Sequence, residues 1–214
     1  MNYLLEAQGL KLLGSGAEGA VYLTPEGYAL KVFKEIKNAK KEDEILKQTI
    51  DSRFFPNSIV RFSNILIREY VGGVTLKEYI SKHGLPYNLS KEIIDLIEDL
   101  KKLNFKRINF RNAHIFVNSN EKIQVIDPRK PYSKVTPYPK DIIKILVKYH
   151  LFDKFLKDLL KYNPSLLPYW TSAYDYLAEP RVKRIYRYGW KNEAVNTASC
   201  KITIISYLFF NKTP

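Results

Sequence analysis

Cysteine, histidine and long hydrophobic runs are scarce in this sequence, and each shortage excludes a class of protein. The single cysteine, Cys200, excludes an internal disulfide framework and favours a reducing compartment. The three histidines are scattered, so they form no cluster with the spacing of metal ligands. The longest apolar stretch, residues 202–210, is far shorter than the roughly 20 residues that span a bilayer. Because the N-terminus also lacks the pattern of a secretion signal, we expect a cytoplasmic protein without a transmembrane segment.

Acidic residues are also in short supply, since 22 Asp and Glu stand against 35 Lys and Arg and leave a net charge of +13. This surplus indicates a partner with negative charge. Nucleotide phosphates, nucleic acid, acidic proteins and anionic lipid surfaces all qualify. A solvated, lysine-rich surface accounts for the same numbers equally well. The hydrophobic content of 45% is typical of a globular chain that has one core, or two lobes that share a cleft.

The first third of the sequence consists of short β-rich segments separated by glycine-bearing turns. One amphipathic helix is predicted after the third of these segments, from apolar positions at Ile45, Leu46 and Ile50. The glycine pair at residues 72–73 then marks a hinge. The predicted strands before this hinge are residues 10–13, 20–23, 28–33, 59–62 and 65–70.

Beyond the hinge the hydrophobic pattern is mainly helical. Ser90 is suited to cap a helix whose apolar positions recur at helical spacing. A hairpin is predicted from residues 115–117 and 123–126, and helices dominate from residue 138 onward. In that last region Pro164 and Pro168 are predicted helix breaks.

Taken in order, these elements predict an α+β protein with two lobes. Residues 1–71 form a small antiparallel β lobe with one helix, and residues 72–214 form the hinge and a mainly helical lobe that holds one hairpin. The sequence shows no internal repeat and no low-complexity tract, so a single domain made of two lobes is expected.

Residues 14–21, with the sequence GSGAEGAV, fit the pattern G-x-G-x-x-G-x-V. Glycines let the backbone come close to phosphates and offer its N–H groups without side-chain obstruction. A dinucleotide-binding turn would join a strand to a helix, whereas here the segment after the glycines is a predicted strand. The pattern therefore predicts a phosphate-binding loop between two strands. Its candidate residues are Gly14, Gly16, Gly19 and Val21.

Residues 28–31, with the sequence YALK, have the form of V-A-I-K and lie on the next predicted strand. A lysine at this point can hold the α- and β-phosphates of a nucleotide, with Ala29 beside it. A carboxylate on the following helix is then needed to fix Lys31. Glu42 and Glu44 are the two candidates.

These motifs, in this order, resemble the protein-kinase superfamily, in the form of a small bacterial kinase-like protein. The resemblance covers roughly residues 8–160 and implies a two-lobed kinase-like fold that binds ATP with Mg²⁺ or Mn²⁺. It favours Glu42 as the partner of Lys31. The segment IREYVGG at residues 67–73 is similar to the kinase hinge, whose backbone near Glu69 and Val71 would bind adenine. Arg68 stands there at a position that is usually apolar.

Asp127, in the segment VIDPR, resembles the metal-binding aspartate of the kinase D-F-G motif. Counting back from Asp127, the positions where kinases carry a second metal ligand and a catalytic aspartate are His114 and Asn109. Arg111 takes the place of the lysine that neutralises phosphate in that family. The spacing of these positions thus matches the kinase catalytic loop, while Asn109 and His114 differ from the residues that kinases carry there.

The changed identities predict slow or atypical chemistry. The amide of Asn109 accepts a hydrogen bond from a substrate hydroxyl, but it cannot take the proton. His114 is a nitrogen ligand where Mg²⁺ prefers oxygen, which weakens a second metal or biases it toward Mn²⁺. Asp141 resembles the helix aspartate that holds the catalytic loop in place in kinases. The segment that connects Asp127 to Asp141 is short. Such a short segment leaves no room for the long loop that docks peptides in protein kinases. A protein substrate is therefore less favoured.

Three functions follow as hypotheses. The first is an ATP-dependent, serine/threonine protein kinase-like phosphotransferase that moves the γ-phosphate to a protein or small-molecule hydroxyl. The second is a pseudokinase, a nucleotide-responsive module that binds a protein partner. The third is a binder of nucleic acid or of an acidic partner through residues 181–191, where cations alternate with aromatic residues. Packing of those aromatic residues on the helical lobe is favoured over the third hypothesis.

Overall fold

The computed structural model describes residues 9–188, with side chains through Leu177. Within that range the chain has six α-helices and two antiparallel sheets, which confirms the α+β class. The elements of the first part are β1 (Lys11–Gly16), β2 (Gly19–Leu23), β3 (Tyr28–Phe33), α1 (Ile36–Gln48), β4 (Ser58–Phe62) and β5 (Ile65–Glu69). Those of the second part are β6 (Val74–Thr75), α2 (Leu76–His83), α3 (Tyr87–Lys102), β7 (Ile115–Val117), β8 (Ile123–Val125), α4 (Lys140–Lys148), α5 (Phe152–Tyr162) and α6 (Leu167–Tyr188).

The first five strands form one antiparallel sheet in the order β1-β2-β3-β5-β4, with β3 at its centre. Val21 of β2 and Leu66 of β5 lie directly opposite Lys31 of β3, and Arg68 lies opposite Ala29. Residues that face one another in a ladder, and residues two apart along a strand, share one side of a sheet. The sheet therefore presents these five residues on the same face.

The two faces of this sheet pack differently. Leu10, Tyr22 and Val32 form a small cluster of their own on the face opposite Lys31. Phe33 and Leu66 instead belong to the main core, which continues through α1 into the helices of the second part. A lysine in the middle of an apolar strand is thus directed toward the junction of the two parts.

Helix α1 covers the core-facing side of the sheet and buries Ala39, Glu42, Asp43 and Leu46. The helix ends at Gln48, where the backbone of Thr49 departs from helical geometry (φ −103°, ψ 16°) and the Thr49 hydroxyl donates to the Leu46 carbonyl. Ile50 was predicted as an apolar position of this helix, but it lies beyond the helix and is 60% exposed. The burial of two carboxylates on α1 indicates that the helix contributes ionic contacts as well as packing.

Helix α3 is the central helix of the second part, and its apolar face is fully buried. The prediction that Ser90 caps this helix is wrong. The helix begins at Tyr87, directly after Pro86, so that Ser90 lies within the first turn. Its hydroxyl donates to Asp158 Oδ2 of α5 at 2.7 Å and thereby links two buried helices.

The last three described helices close the core around Trp170, whose side chain is inaccessible and stacks edge-on against Phe155 at 4.6 Å. Pro164 begins a short 3₁₀ turn between α5 and α6, as expected of a helix break. Pro168 is the second residue of α6, where a missing N–H costs no helical hydrogen bond. No helix in the described part combines the length and hydrophobicity needed to cross a membrane.

Candidate nucleotide site at the junction of the two parts

The glycine-rich segment forms the tight β1–β2 hairpin, with Ala17 and Glu18 at its tip. A methyl group built on Gly14 or Gly16 would meet no protein atom within 4 Å. One built on Gly19 would collide with the Val32 carbonyl. Gly19 is therefore required by packing, whereas the space over Gly14 and Gly16 is left open by the protein and can receive a ligand.

Beneath this hairpin Lys31 is held by a carboxylate on α1. Its Nζ lies 2.5 Å from Glu42 Oε2, and both side chains are less than a tenth exposed. Glu44, the alternative partner offered by the sequence, is exposed and lies 3.9 Å from Lys40. The second oxygen of Glu42, Oε1, is buried with no hydrogen-bond partner among the described residues. Burial of a carboxylate oxygen without a donor costs free energy. A further cation or hydrogen-bond donor next to Glu42 would therefore be stabilising.

The second part contributes Asp127, which directly follows the strand β8 and its neighbour Ile126. Asp127 Oδ1 lies 3.5 Å from Lys31 Nζ, which brings together residues 96 positions apart in sequence. Its backbone adopts φ of 56°, a left-handed conformation that few residues other than glycine occupy. The carboxylate is thus fixed at the junction of the two parts by its backbone as well as by its ionic contacts.

Arg129, two residues further on, makes ionic contacts that the sequence did not reveal. Its Nε donates to both oxygens of Asp127, at 2.9 and 2.8 Å, and its Nη1 lies 2.7 Å from Glu18 Oε1 at the tip of the hairpin. The signal available in the sequence was an acidic residue inside the glycine loop and an arginine two positions after the aspartate. Their meeting depends on the fold that places the hairpin over Asp127.

The protonation of these carboxylates follows from their surroundings. Burial raises the pKa of Glu42, although the charge and hydrogen bond of Lys31 act in the opposite direction. Burial also pushes the pKa of Asp127 upward, but the hydrogen bond from Arg129 and the charge of Lys31 outweigh it and hold that pKa below its ordinary value. Burial and the ionic contacts thus shift the pKa values of these two carboxyl groups in opposite directions.

His114 lies beside Asp127, with Nε2 3.8 Å from Asp127 Oδ2, and burial lowers the pKa of its imidazole. Among residues 9–188 no group of three or more histidine, cysteine, aspartate or glutamate side chains is placed to hold a metal ion. One carboxylate and one imidazole do not suit a resident metal held by protein alone. They do fit a cation that brings phosphate oxygens and water as its other ligands.

The hinge residues carry an unexpected contact. Arg68 is buried, its Nη1 donates to the Glu69 carbonyl at 2.8 Å, and its Nε has no partner among the described residues. The carboxylate of Glu69 accepts the Asn57 N–H at 2.9 Å, and Val71 is buried. The Glu69 carbonyl, which belongs to the segment that the kinase resemblance predicts as the adenine-binding hinge, is thus already bonded to a protein guanidinium.

The catalytic-loop candidates lie in a different environment. Asn109 Oδ1 accepts the backbone N–H of Asp141 at 2.8 Å, in the first turn of α4. The amide oxygen that was expected to accept a substrate hydroxyl is thus engaged by the protein itself. Arg111 is exposed, and its charge contributes to the lowered pKa of His114.

A cavity of about 410 Å³ opens beside this ion cluster, between α1 and residues 127–133. Its lining includes the ionic residues Glu18, Glu42, Asp127 and Arg129 together with Tyr132. The volume is in the range of small-molecule sites.

Cations alternate with aromatic residues in residues 181–191, the segment of the third hypothesis, over which packing on the helical lobe was favoured. Their side chains lie outside the described part of the chain, as does the apolar stretch of residues 202–210. The hypothesis of a nucleic-acid or acidic partner at this segment stays a prediction.

Neither the protein-family models nor the curated proteins include a match to this chain.

Proposed function

We propose that this chain is a protein-kinase-like ATP-binding protein and a slow phosphotransferase, which moves the γ-phosphate to a hydroxyl of a small molecule or a protein. The observation that carries the proposal is the buried Lys31–Glu42 pair, which lies within 3.5 Å of Asp127 beneath an open glycine hairpin. The two-lobed arrangement, with the boundary near residue 72, is part of this proposal.

In this proposal each residue of the site has a role that suits its chemistry. Lys31, fixed by Glu42, neutralises the α- and β-phosphates, and the backbone of Gly14 and Gly16 lies over them. Bound at Asp127 and His114, Mg²⁺ or Mn²⁺ would neutralise charge on the transferred phosphoryl group.

The remaining candidates position the base and the acceptor. Val21 and Ala29 supply the apolar wall for the adenine, and the hinge at Glu69 and Val71 lies next to it. Arg111 compensates charge near the acceptor. The cavity beside Asp127 and the short segment to Asp141 favour a small acceptor over a docked peptide.

A pseudokinase is the second candidate, and two contacts favour it. The amide oxygen of Asn109 accepts a hydrogen bond from the Asp141 N–H, and Arg129 Nε donates to both oxygens of Asp127. A site arranged in this way suits nucleotide binding better than proton transfer. Both candidate functions include nucleotide binding, and they differ only in whether phosphate is transferred.

The nucleotide site is tested by thermal unfolding with and without ATP, in Mg²⁺ and in Mn²⁺. Ligand that binds only the folded state stabilises it by about 2.7 kcal/mol at a concentration 100 times the Kd. We expect ATP to raise the Tm of the wild type, and we expect Lys31→Met to lose that shift because the phosphates lose their cation.

Lys47→Met is the matched control, since Lys47 also pairs with a carboxylate on α1, Asp43, at 2.8 Å. Each ATP-dependent shift is taken relative to the same variant without ATP, which removes the effect of the substitution on stability. Equal shifts in wild type and Lys31→Met, or no shift in either metal, would contradict the proposed site.

A further inference from the structure

Arg129 contacts Asp127, the carboxylate at which the proposed nucleotide site would hold a divalent ion. Its guanidinium spans the junction, from both oxygens of Asp127 in the second part to Glu18 of the hairpin in the first. A divalent ion at Asp127 would stand between this carboxylate and the phosphates. In this chain a side chain of the protein stands there instead.

The charge balance of the cluster shows why such a cation matters. Glu18, Glu42 and Asp127 are three carboxylates around one cleft, where Lys31 contacts Glu42 and Asp127 and the buried Arg68 interacts electrostatically with the same two. Arg129 is the cation that joins Asp127 to Glu18, and without it phosphates that approach these two carboxylates would meet stronger repulsion. Charge-assisted pairs of guanidinium with carboxylate or phosphate are among the strongest hydrogen bonds in proteins.

The position of Arg129 is fixed by the fold, while its side chain remains within reach of a ligand. The backbone carbonyl of Arg129 accepts from Arg107 Nη1 at 2.6 Å, and the N–H groups of Lys106 and Arg107 bond the Pro131 carbonyl. The side chain is nevertheless 43% exposed. A guanidinium has five N–H donors, more than its contacts with Asp127 and Glu18 require.

We infer that Arg129 is the counter-cation of Asp127 in place of a divalent ion, so that the phosphates of a nucleotide bind at this site without metal. The inference rests on the proposed nucleotide site and deepens it. Arg129 adds donors to the phosphates while it continues to neutralise Asp127. Metal is then dispensable for nucleotide binding, and only phosphate transfer requires it.

The test is the Kd of ATP for the full chain by calorimetric titration, once in EDTA and once in Mg²⁺. The wild type should bind with nearly equal affinity in both buffers. Arg129→Gln should weaken binding in EDTA by roughly tenfold or more, the worth of a charge-assisted hydrogen bond. It should bind almost normally in Mg²⁺, because the metal replaces the missing cation. Arg129→Lys, which keeps the charge, should retain most of the binding in EDTA.

Lys154→Gln is the matched control, because Lys154 is 45% exposed and also pairs with a buried carboxylate, Asp158 at 2.7 Å, but within α5. It should bind ATP as the wild type does in both buffers. Circular dichroism and the Tm of each variant establish that it is folded.

Two results would overturn the inference and leave the nucleotide site standing. One is a wild type that binds only in Mg²⁺. The other is an Arg129→Gln variant that binds in EDTA as tightly as the wild type or more tightly, which would make the guanidinium an obstruction. No saturable binding by the wild type in either buffer would overturn both the inference and the proposed site.

Discussion

Asn109 lies at the position where the kinase resemblance implies a catalytic aspartate, and its side chain also makes a structural hydrogen bond. Its Oδ1 accepts the Asp141 N–H, one of the first-turn N–H groups that a helix cannot pair internally. An aspartate would accept the same hydrogen bond, and its charge is favourable near the N-terminus of α4. The amide is therefore compatible with the fold, but the fold does not require an amide there.

We expect Asn109→Asp to fold as stably as the wild type and to raise the rate of phosphate transfer strongly, because a carboxylate can take the acceptor proton. Asn109→Ala should lower the free energy of unfolding by about 1 kcal/mol through the lost hydrogen bond. Transfer of labelled γ-phosphate and thermal unfolding measure the two effects. A folded Asn109→Asp variant that binds ATP without turnover would favour the pseudokinase candidate over the phosphotransferase.

The sequence indicated some residues of the site and missed others, for physical reasons. Lys31 stood out because a lysine within an apolar strand needs a partner, and the following helix offered Glu42. The bridge of Arg129 to Glu18 could not be predicted, since it joins two loops whose separation only the tertiary fold sets. Arg68 was noted as an unusual hinge residue, but its contact with the Glu69 carbonyl depends on a side-chain conformation that local sequence does not determine.

At the level of elements, the strands were easier to predict than the ends of the helices. Aliphatic and aromatic residues between glycine-bearing turns marked all five strands of the first sheet to within three residues. Buried residues lie on β2, β3 and β5, whereas every residue of β1 is exposed. Helix ends depend on competing hydrogen bonds. Thr49 closes α1 before Ile50, and α3 begins three residues before Ser90 because Pro86 sets its start. Apolar periodicity carries no information about either contact.

Two glycines of the β1–β2 hairpin are expected to serve different purposes, Gly14 in ligand binding and Gly19 in stability. Gly14→Ala places a methyl group in open space, so we expect unchanged stability and weaker ATP binding, because the methyl group stands where phosphates approach. Gly19→Ala collides with the Val32 carbonyl and should lower the free energy of unfolding by about 2 kcal/mol or more. Chemical denaturation and ATP titration of both variants measure the contrast. Equal loss of stability in the two variants would contradict it.

At the scale of the whole molecule, ionic contacts join the first part to the second on more than one side. Arg129 connects the hairpin to the segment after β8 within the cleft. Away from the cleft, Glu92 of α3 is 5% exposed and accepts from Arg53, which follows α1, and from Lys122 and the Ile123 N–H beside β8. Opening of the cleft between the two parts is therefore limited by Glu92 as well as by the shared hydrophobic core.

This arrangement predicts how stability depends on acid. Burial raises the pKa of Glu92, but the hydrogen bonds from Arg53 and Lys122 outweigh it and leave the pKa below its ordinary value. A carboxyl group with a lowered pKa in the folded state stabilises the fold at pH values above its unfolded pKa of about 4.3, and this contribution is lost as the pH falls through the lower folded value. We therefore expect the Tm to fall steeply below about pH 4.3.

Glu92→Gln should lower the free energy of unfolding at pH 7 by about 1–3 kcal/mol, since it removes charged hydrogen bonds. It should also make the decline of the Tm in acid shallower, because one of the groups that must take up a proton is gone. Glu98→Gln is the matched control on the same helix, where the Glu98–Lys101 pair is about a third exposed on both sides and such pairs contribute little. Thermal unfolding of the three proteins from pH 7 to pH 3 measures both effects. If Glu92→Gln and the wild type lose stability in parallel across that range, Glu92 is not the ionic connection between the two parts that its contacts indicate.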